Sequence, residues 1–502
     1  MNYNYINVLV KGVESMLIAI YDCRSKQEYI YRTNRVQEIV GASELLRDLF
    51  KGFFSICDLN ISSDWENLIA PDDYFGYFRE NDLDAEVVYE GGGNLCMIFK
   101  DEDTYKKFNR KFSRYALDKA YNVSIIASAA EIEERDGGYD FVEDRNELYR
   151  RNAWNKNTGS YYVPCNILPF TQVDRLTFQP IVKKTGSGSS RRQFTAESLR
   201  KQMTYDALLP EDNQIIEKEF DNMVDKGTES LLAIIYIDGN NMGEKLKNRT
   251  HGLKGYAQGI NELRDFSKKT NQDFVIAPIQ AISERLTQKY NEAKTKKEKI
   301  RFLFRRIISG GDEITLVCNA RAVPLILETY FNTLTANGDN TACAGVAIFH
   351  SHAPFADVYE IAEQCCENAK KKAHVSPSDQ TNYIDFHYCH SGITNSLDVI
   401  RERQEGRYTA RPYEYSGNWQ EFIRLGTMIA ENKGMKLKRS DVKELSDALN
   451  SGESYYKAEL KRIQSRQTTD DFQNEIMGNP DAAKFLYDIS IVYDLWFRRE
   501  ED

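Results

Sequence analysis

Two short aliphatic runs end in aspartate, Met16 to Asp22 and Leu231 to Asp238. Both are brief and rich in Leu and Ile, which predicts buried strands. A helical period follows each. Val36, Ile39, Val40, Leu45, Leu46 and Leu49 share one face of Arg35 to Phe50, and Ile276, Ile279, Ile282, Leu286 and Tyr290 share one face of Phe274 to Asn291. Next comes a hairpin with a glycine tip, Ala85 to Phe99 in the first half and Phe302 to Cys318 in the second. Paired glycines supply the positive φ angles a tight turn needs. Thr104 to Lys119 and Ala322 to Leu334 then read as helices, and Val123 to Ala129 and Thr341 to Phe349 as strands.

The order β-α-β-β-α-β in each half is the ferredoxin-like pattern, so the fold class is α+β with two copies of one domain. The spacings agree: 93 − 22 = 71 in the first copy and 312 − 238 = 74 in the second. Asp22 then corresponds to Asp238, Gly93 to Asp312 and Asn94 to Glu313. Only the second copy keeps carboxylates at its hairpin tip. The expected boundaries are 1–149 for the first copy, 150–225 for a less regular insert, 226–400 for the second copy and 401–502 for an all-helical C-terminal domain. Within the tail, Leu437, Val442, Leu445 and Leu449 mark one helix, and Ala482, Phe485, Leu486, Ile489, Ile491 and Val492 another. Lys183 to Arg192, Gly/Ser-rich and flanked by basic residues, reads as a mobile surface loop; a basic flap closing over phosphates is the alternative.

With 502 residues the chain is too long for one ordinary core. Its 41% hydrophobic and 28% charged residues fit a soluble globular protein, no apolar run spans a bilayer, and a cytoplasmic location is expected. Nine scattered cysteines without a C-x-x-C pair read as reduced thiols rather than a zinc site. A net charge of −10 argues against a general nucleic-acid binder, so any polyanion site must be local. No histidine is followed directly by aspartate, which leaves a His-Asp phosphohydrolase without a candidate.

The remaining chemistry gathers at Asp238 and the turn Ser309-Gly310-Gly311-Asp312-Glu313. Nucleotide transfer needs Mg²⁺ or Mn²⁺ to collect triphosphate oxygens and activate a hydroxyl, and carboxylates at neighbouring strand ends are the simplest way to hold it. Asp238, Gly239 and Asp312 are the expected metal-binding positions, and Asp238, Asp312 and Glu313 the catalytic ones. Gly310 and Gly311, lacking Cβ atoms, let a nucleotide approach, flanked by Gly239, Asn240, Asn241 and Ser309. A solvated acidic turn, or a turn former at Asp238-Gly239-Asn240-Asn241, is the plainer reading. Lys370 closes the stretch Ala362 to Lys370, followed by Lys371 and Lys372. These lysines either complement a helix C-terminus in solvent or bring Lys370 to a triphosphate. His350 and His352 read as loop residues, since hard metals favour oxygen.

The hairpin Ser309 to Glu313, the strand and turn Tyr236 to Gly243, the helix ending Ala369-Lys370, and Lys26-Gln-Glu-Tyr-Ile30, Thr33-Asn34 and Gly41-Ala-Ser43-Glu-Leu-Leu46 resemble the large signature subunit of type III CRISPR effector complexes, a likeness that covers both copies and is expected to extend into the tail. The hairpin is shared with diguanylate cyclases; the doubled domain points to the CRISPR polymerase branch. The resemblance implies two palm domains packed face to face, with conversion of ATP into a cyclic oligonucleotide that signals to a downstream effector during phage defence. It implies metal at Asp238 and Asp312, phosphate contact at Lys370, and an acceptor nucleotide touched by Ser43. Here Asn240 stands where the family often has a second Asp, and Glu313 where Asp is usual. No cysteine cluster separates the palms, Leu168 to Asp174 occupying that place, and the family's nuclease domain is not seen, so the chain looks like a stand-alone or minimal relative. The expected partners are nucleoside triphosphates, a downstream effector and subunits of a guide-RNA complex, with the chain a monomer or homodimer. Two further readings remain: a nucleotide-binding sensor or scaffold of such a complex without turnover, and a diguanylate cyclase.

Overall fold

A computed structural model describes residues 15–33, 35–135, 138–159, 170–187, 191–208, 217, 220–224, 230–296, 303–375, 381–389, 396–404, 408–431, 437–466, 473–479 and 481–497. Asn34, Cys165, Leu168, Pro169 and the 188–190 tip of the basic loop lie outside the described residues. The chain divides into two compact units, residues 1–210 with 241–272, and residues 211–240 with 273–502. Residues 241–272 of the expected second copy thus belong to the first unit. None of the described helices is long and apolar enough to cross a membrane.

The first unit begins with β1 (Leu17–Arg24), α1 (Lys26–Tyr31), α2 (Val36–Phe54), β2 (Ile61–Ser62) and α3 (Tyr74–Glu80). The hairpin β3 (Ala85–Gly91) and β4 (Asn94–Phe99) follows, then α4 (Glu102–Ala120) and β5 (Ser124–Glu131). The sheet order β2-β3-β4-β1-β5 places the hairpin and the last strand on opposite sides of β1, as a ferredoxin-like sheet requires. Alternation along β1 sends Tyr21 to one face, against Phe108 and Phe112 of α4. Ile18 and Ile20 go to the other. That second face is not left open. It is covered by α5 (Phe141–Thr158), which follows the small hairpin β6 (Glu134–Arg135) and β7 (Gly138–Tyr139), and by α8 (Tyr256–Asn271), which follows α7 (Met242–Thr250). Tyr256, Ala257, Ile260 and Leu263 of α8 share one core with Ile18, Ile20, Val88 and Ile98. The expected insert is more regular than its composition suggests: β8 (Ile181–Thr185) pairs with β9 (Arg192–Thr195), and α6 (Ala196–Ala207) packs on α2. Asp101, Asp140 and Thr195 side chains cap α4, α5 and α6 by accepting first-turn amide hydrogens.

The second unit repeats the plan with β10 (Leu231–Gly239), α9 (Ala277–Lys296), the hairpin β11 (Phe304–Gly310) and β12 (Glu313–Asn319), α10 (Val323–Ala336) and β13 (Ala342–His350). It then adds α11 (Phe355–Val375), β14 (Tyr383–Tyr388), α12 (Leu397–Gln404), β15 (Tyr413–Glu414), α13 (Asn418–Ala430), α14 (Arg439–Ser451), α15 (Glu453–Gln464) and α16 (Ala482–Val492). The sheet order is β11-β12-β10-β13-β14-β15. The expected all-helical tail therefore needs correction, because Tyr413 pairs with Ile384 and adds a strand to the sheet. A two-residue strand has no readable period, and only its partner strand makes it one. Asp488 of α16, fully buried, accepts hydrogen bonds from Arg411 and Tyr413 and ties the tail to that edge.

Candidate active site

Asp238, the penultimate residue of β10, lies directly opposite Glu313, the first residue of β12, and beside Cys343 of β13. The β11–β12 turn has two tip residues, Gly311 and Asp312. Only Gly311 has a positive φ, +64°, so the second tip position accepts an ordinary L-residue and Asp312 sits there unstrained. The Gly239 amide donates to the Asp312 carbonyl at 3.2 Å, which fixes the tip against the end of β10. The structure thus brings Asp238, Gly239, Ser309, Gly310, Gly311, Asp312 and Glu313 to one sheet end. Glu313 is buried, whereas Asp238 and Asp312 keep partial exposure.

Lys370 joins them through the packing of α11 across the same face. Gly345 of β13 permits this close approach, since a Cβ there would lie 1.9 Å from the Ala362 carbonyl oxygen of α11. The helix runs on to Val375, so Lys370 is not one of a solvated C-terminal trio. Lys371 and Lys372 are exposed, while Lys370 turns inward. Its Nζ donates to Asp238 Oδ2 at 2.6 Å and to the Gly239 carbonyl at 3.0 Å.

The electrostatics follow from crowding. Burial, then the charge of Asp238, raises the Asp312 carboxyl to about 6; Lys370 partly offsets this. Burial also raises Glu363 of α11, helped by Glu367 and Glu313. Burial outweighed by the Asp238 charge and hydrogen bond raises Lys370, which stays an ammonium. Among the described residues no group of three or more His, Cys, Asp or Glu side chains is placed to hold a metal ion unaided. A groove of about 360 Å³ lies along α11, but Glu360, Glu363, Glu367 and Asp398 line it. That charge disfavours a triphosphate and leaves the hairpin tip as the candidate.

The other expected positions are distributed more widely. Asn240 is buried; its amide donates to the Thr341 carbonyl at 2.9 Å, and its Nδ2 to Thr341 Oγ1 at 3.2 Å. Asn241 adopts left-handed geometry, φ +56°, immediately before α7. Ser43 is half-buried on α2 of the first unit. His350, expected in a loop, is instead the exposed last residue of β13, paired with Leu231, and His352 is exposed in the turn that follows.

The first copy shows what the sequence comparison missed. Asp22 pairs with Asn94 as Asp238 pairs with Glu313, and the Cys23 amide donates to the Gly93 carbonyl at 3.1 Å as Gly239 does to Asp312. Lys156 of α5 forms an ion pair with Asp22, and Asn152 Nδ2 donates to the same oxygen at 3.3 Å. The spacings match, 156 − 22 = 134 and 370 − 238 = 132, so the repeat extends one helix beyond the ferredoxin-like unit. That spacing was the available signal. The two tips differ in backbone as well as in side chain: Gly92 and Gly93 both have positive φ, +61° and +82°. Gly93→Asp should therefore destabilise the first unit by about 1 kcal/mol through left-handed strain, as urea unfolding would register. A Cβ at 93 also meets Cys23 Cβ at 3.3 Å.

Comparison with known proteins agrees with the fold. Residues 231–376 match the family described as Cas10/Cmr2, second palm domain. No curated protein matches the chain. Among solved structures, the Csm1–Csm4 cassette in complex with cA4 aligns with a TM-score of 0.53 at 12% identity, covering 96% of this chain and 70% of that one. Csm1 in T. onnurineus aligns with a TM-score of 0.53 at 13% identity, over 97% and 70% of the two chains. The Csm1–Csm4 cassette in complex with one ATP gives 0.53 at 13%, over 97% and 71%. At such identities the likeness is one of fold. The chain thus resembles the large signature subunit of type III CRISPR effector complexes, with a Cas10/Cmr2-type second palm domain at residues 231–376.

Proposed function

We propose that this chain is a metal-dependent nucleotidyltransferase that condenses ATP, or another nucleoside triphosphate, into a cyclic di- or oligonucleotide with release of pyrophosphate. The observation that carries this reading is the convergence of Asp238, the Gly239 carbonyl and Asp312 on one cation-accepting corner, with Lys370 already donating to two of the three. That oxygen set suits Mg²⁺ or Mn²⁺, which are held by few carboxylates and share the rest of their shell with phosphate and water. Such an ion, when bound, would neutralise charge on the reacting triphosphate. Lys370 would shift from Asp238 toward phosphate oxygens as the carboxylates take up the ion. Gly310 and Gly311 would admit the triphosphate along the turn, and Ser43 would contact a second nucleotide held by the first palm. Adenine nucleotides are the favoured class, because the fold relatives were solved with cA4 and with ATP. The cyclic product would signal to a downstream effector in antiphage defence.

The test is incubation of the purified chain with Mn²⁺ and each of the four triphosphates, with products identified by mass spectrometry. Pyrophosphate and a cyclic adenylate are expected; turnover of GTP alone would redirect the assignment to a diguanylate cyclase, and no pyrophosphate from any triphosphate would reject it. One observation favours a sensor or scaffold without turnover: Asn240, at the position of a second family carboxylate, is committed to Thr341. Tight ATP retention without product would support that reading.

A pH prediction follows from Asp312. Its folded pKa lies above the ordinary 3.8, at about 6, so the folded metal-free protein binds this proton more tightly than the unfolded chain. Metal-free stability should therefore fall as pH rises from about 4 to about 6. Metal must displace the same proton, so apparent Mn²⁺ affinity should weaken below pH 6. Thermal unfolding at pH 5 and 7, with and without Mn²⁺, checks both signs: the metal-induced stabilisation should be larger at pH 7.

A further inference from the structure

We propose that Gly41 and the buried Glu197–Lys201 ion pair are positioning residues for the acceptor nucleotide, a role that rests on the cyclase reading, in which Ser43 touches that nucleotide. They seat α6 against the back of α2 and so set where Ser43 stands. The fit of the two helices carries this inference. A Cβ on Gly41 would overlap the Lys201 carbonyl oxygen and lie 3.1 Å from the Tyr205 amide nitrogen, over the helical bond that joins those two groups in α6. Alanine is the better helix former, so helix propensity does not account for a buried glycine within α2, whereas this contact does. Ser43 follows two residues later, about 200° around the helix, so it faces away from α6. It is half-buried there.

The polar groups around α6 give the seat its direction. Lys201 is 0% exposed and Glu197 2%. Lys201 Nζ donates to Glu197 Oε1 at 2.6 Å and to the Tyr29 carbonyl of α1, and lies 4.0 Å from the centre of the Tyr29 ring. Glu197 Oε2 accepts from Arg32 Nη1 and Asn122 Nδ2, each at 3.1 Å, and from Gln179 Nε2 at 3.4 Å. The Tyr29 hydroxyl donates to the Ala120 carbonyl, at the end of α4, at 2.6 Å. Glu38, three residues before Gly41, is fully buried and accepts from Thr33 Oγ1 at 2.7 Å and from Arg35 Nη1 at 2.9 Å. Tyr29 and Thr33 come from the two stretches of the first copy to which nucleotide chemistry assigns no part, and both build this seat. Packed apolar side chains would hold two helices as firmly as a buried ion pair does. What the pair adds is orientation: its hydrogen bonds fix the rotation of α6, and with it the place of the Lys201 carbonyl over Gly41.

Opening the Gly41 contact to ordinary packing distance moves α2 or α6 by about 1 Å, and a misplacement of that size costs up to about 100-fold where a group must be held in place. A weaker grip on the acceptor with unchanged chemistry raises KM. Partial unfolding instead lowers kcat with the folded fraction and leaves KM alone, so the two causes are separable.

The experiment is ATP kinetics of the full chain by pyrophosphate release at saturating Mn²⁺, paired with equilibrium dialysis of labelled ATP in EDTA, where a metal-independent site on the first palm still binds. Gly41→Ala should raise the apparent KM for ATP roughly 10-fold with kcat within about threefold, and should weaken binding in EDTA to the same degree. Ser43→Ala should do likewise, and the double variant Gly41→Ala, Ser43→Ala should be no worse than Ser43→Ala, because the glycine acts through the serine. Gly52→Ala is the control: on the same helix, a Cβ there meets only the movable Tyr115 side chain, and KM should stay at the parent's value. The charge-free variant Glu197→Gln, Lys201→Met should unfold near the parent's temperature yet show the raised KM. An unchanged KM in Gly41→Ala, additive losses in the Gly41, Ser43 double variant, or a parental KM in the charge-free variant overturns the proposal and leaves the cyclase reading standing. If the parent releases no pyrophosphate but binds ATP in EDTA, non-additive weakening by Gly41→Ala and Ser43→Ala upholds the positioning role while the cyclase reading falls; neither turnover nor binding overturns both.

Discussion

Replacing Asp312 with alanine should cut pyrophosphate release by roughly 10³-fold, the scale expected when one preorganised charged group is removed from a transition state. The side chain lies at the tip of a two-residue turn whose geometry depends on Gly311 rather than on Asp312. The backbone bond from Gly239 to the residue 312 carbonyl survives the substitution. Folding should therefore be unharmed, and metal-free stability at pH 7 should rise slightly, because an ionised carboxylate whose pKa burial has raised is gone. Asp312→Asn separates charge from shape and should be nearly as inactive. The measurement is initial rate by pyrophosphate assay at saturating Mn²⁺, alongside thermal unfolding. A turnover within threefold of the parent would remove Asp312 from the chemistry and the cyclase proposal with it.

Arg264→Ala should destabilise the first unit by about 3–5 kcal/mol, a large share of the roughly 5–15 kcal/mol that holds a typical domain. Arg264 of α8 is 2% exposed, and its partner Glu86 of β3 is 1% exposed. Arg264 Nη2 donates to Glu86 Oε1 at 2.5 Å and to the Val87 carbonyl at 3.0 Å. Nε and Nη1 donate to the Val88 and Leu68 carbonyls, each at 3.3 Å. Alanine would strand a buried carboxylate and three carbonyls together. Burial already raises the Glu86 carboxyl despite Arg264, and without the guanidinium it must rise further. The folded variant then holds a proton that the unfolded chain releases, so the deficit should grow as pH rises above the ordinary glutamate range. Urea unfolding at pH 5 and pH 8 tests the sign: a larger loss at pH 8 is expected. The double change Glu86→Gln with Arg264→Met, which leaves no buried charge, should recover most of the stability. Equal losses for the single and double variants would show that packing volume, not the ion pair, joins α8 to β3.

Much of the architecture was legible along the chain because each element carries its own local signal. Alternating or continuous apolar runs located β1, β3, β4, β5 and their counterparts β10 to β13 within one or two residues, and the aligned copies placed Asp238 beside Asp312 through nothing more than spacing. Glycine at the tips announced the turns, since Gly92, Gly93 and Gly311 take positive φ angles that glycine adopts without strain. What remained hidden depends on contacts between segments far apart in the chain. The helix Tyr256–Asn271 has an amphipathic face, but a periodic stripe does not name the surface it will cover; only the buried Arg264–Glu86 pair and the shared core assign it to the first sheet. Tyr413–Glu414 is too short for a period and becomes a strand only through β14. Lys370 reads more readily as a solvated helix end than as a site residue, and nothing local marks Lys156, because whether a lysine meets an aspartate 132 or 134 positions away depends on how closely a helix packs on its sheet. The sequence by itself determined the repeated strands, the turns and the carboxylates at the second tip, because those rest on local periodicity and backbone freedom. The tertiary structure alone decided which cations face those carboxylates and which sheet each added helix covers, because packing and charge pairing act across distance in space rather than along the chain.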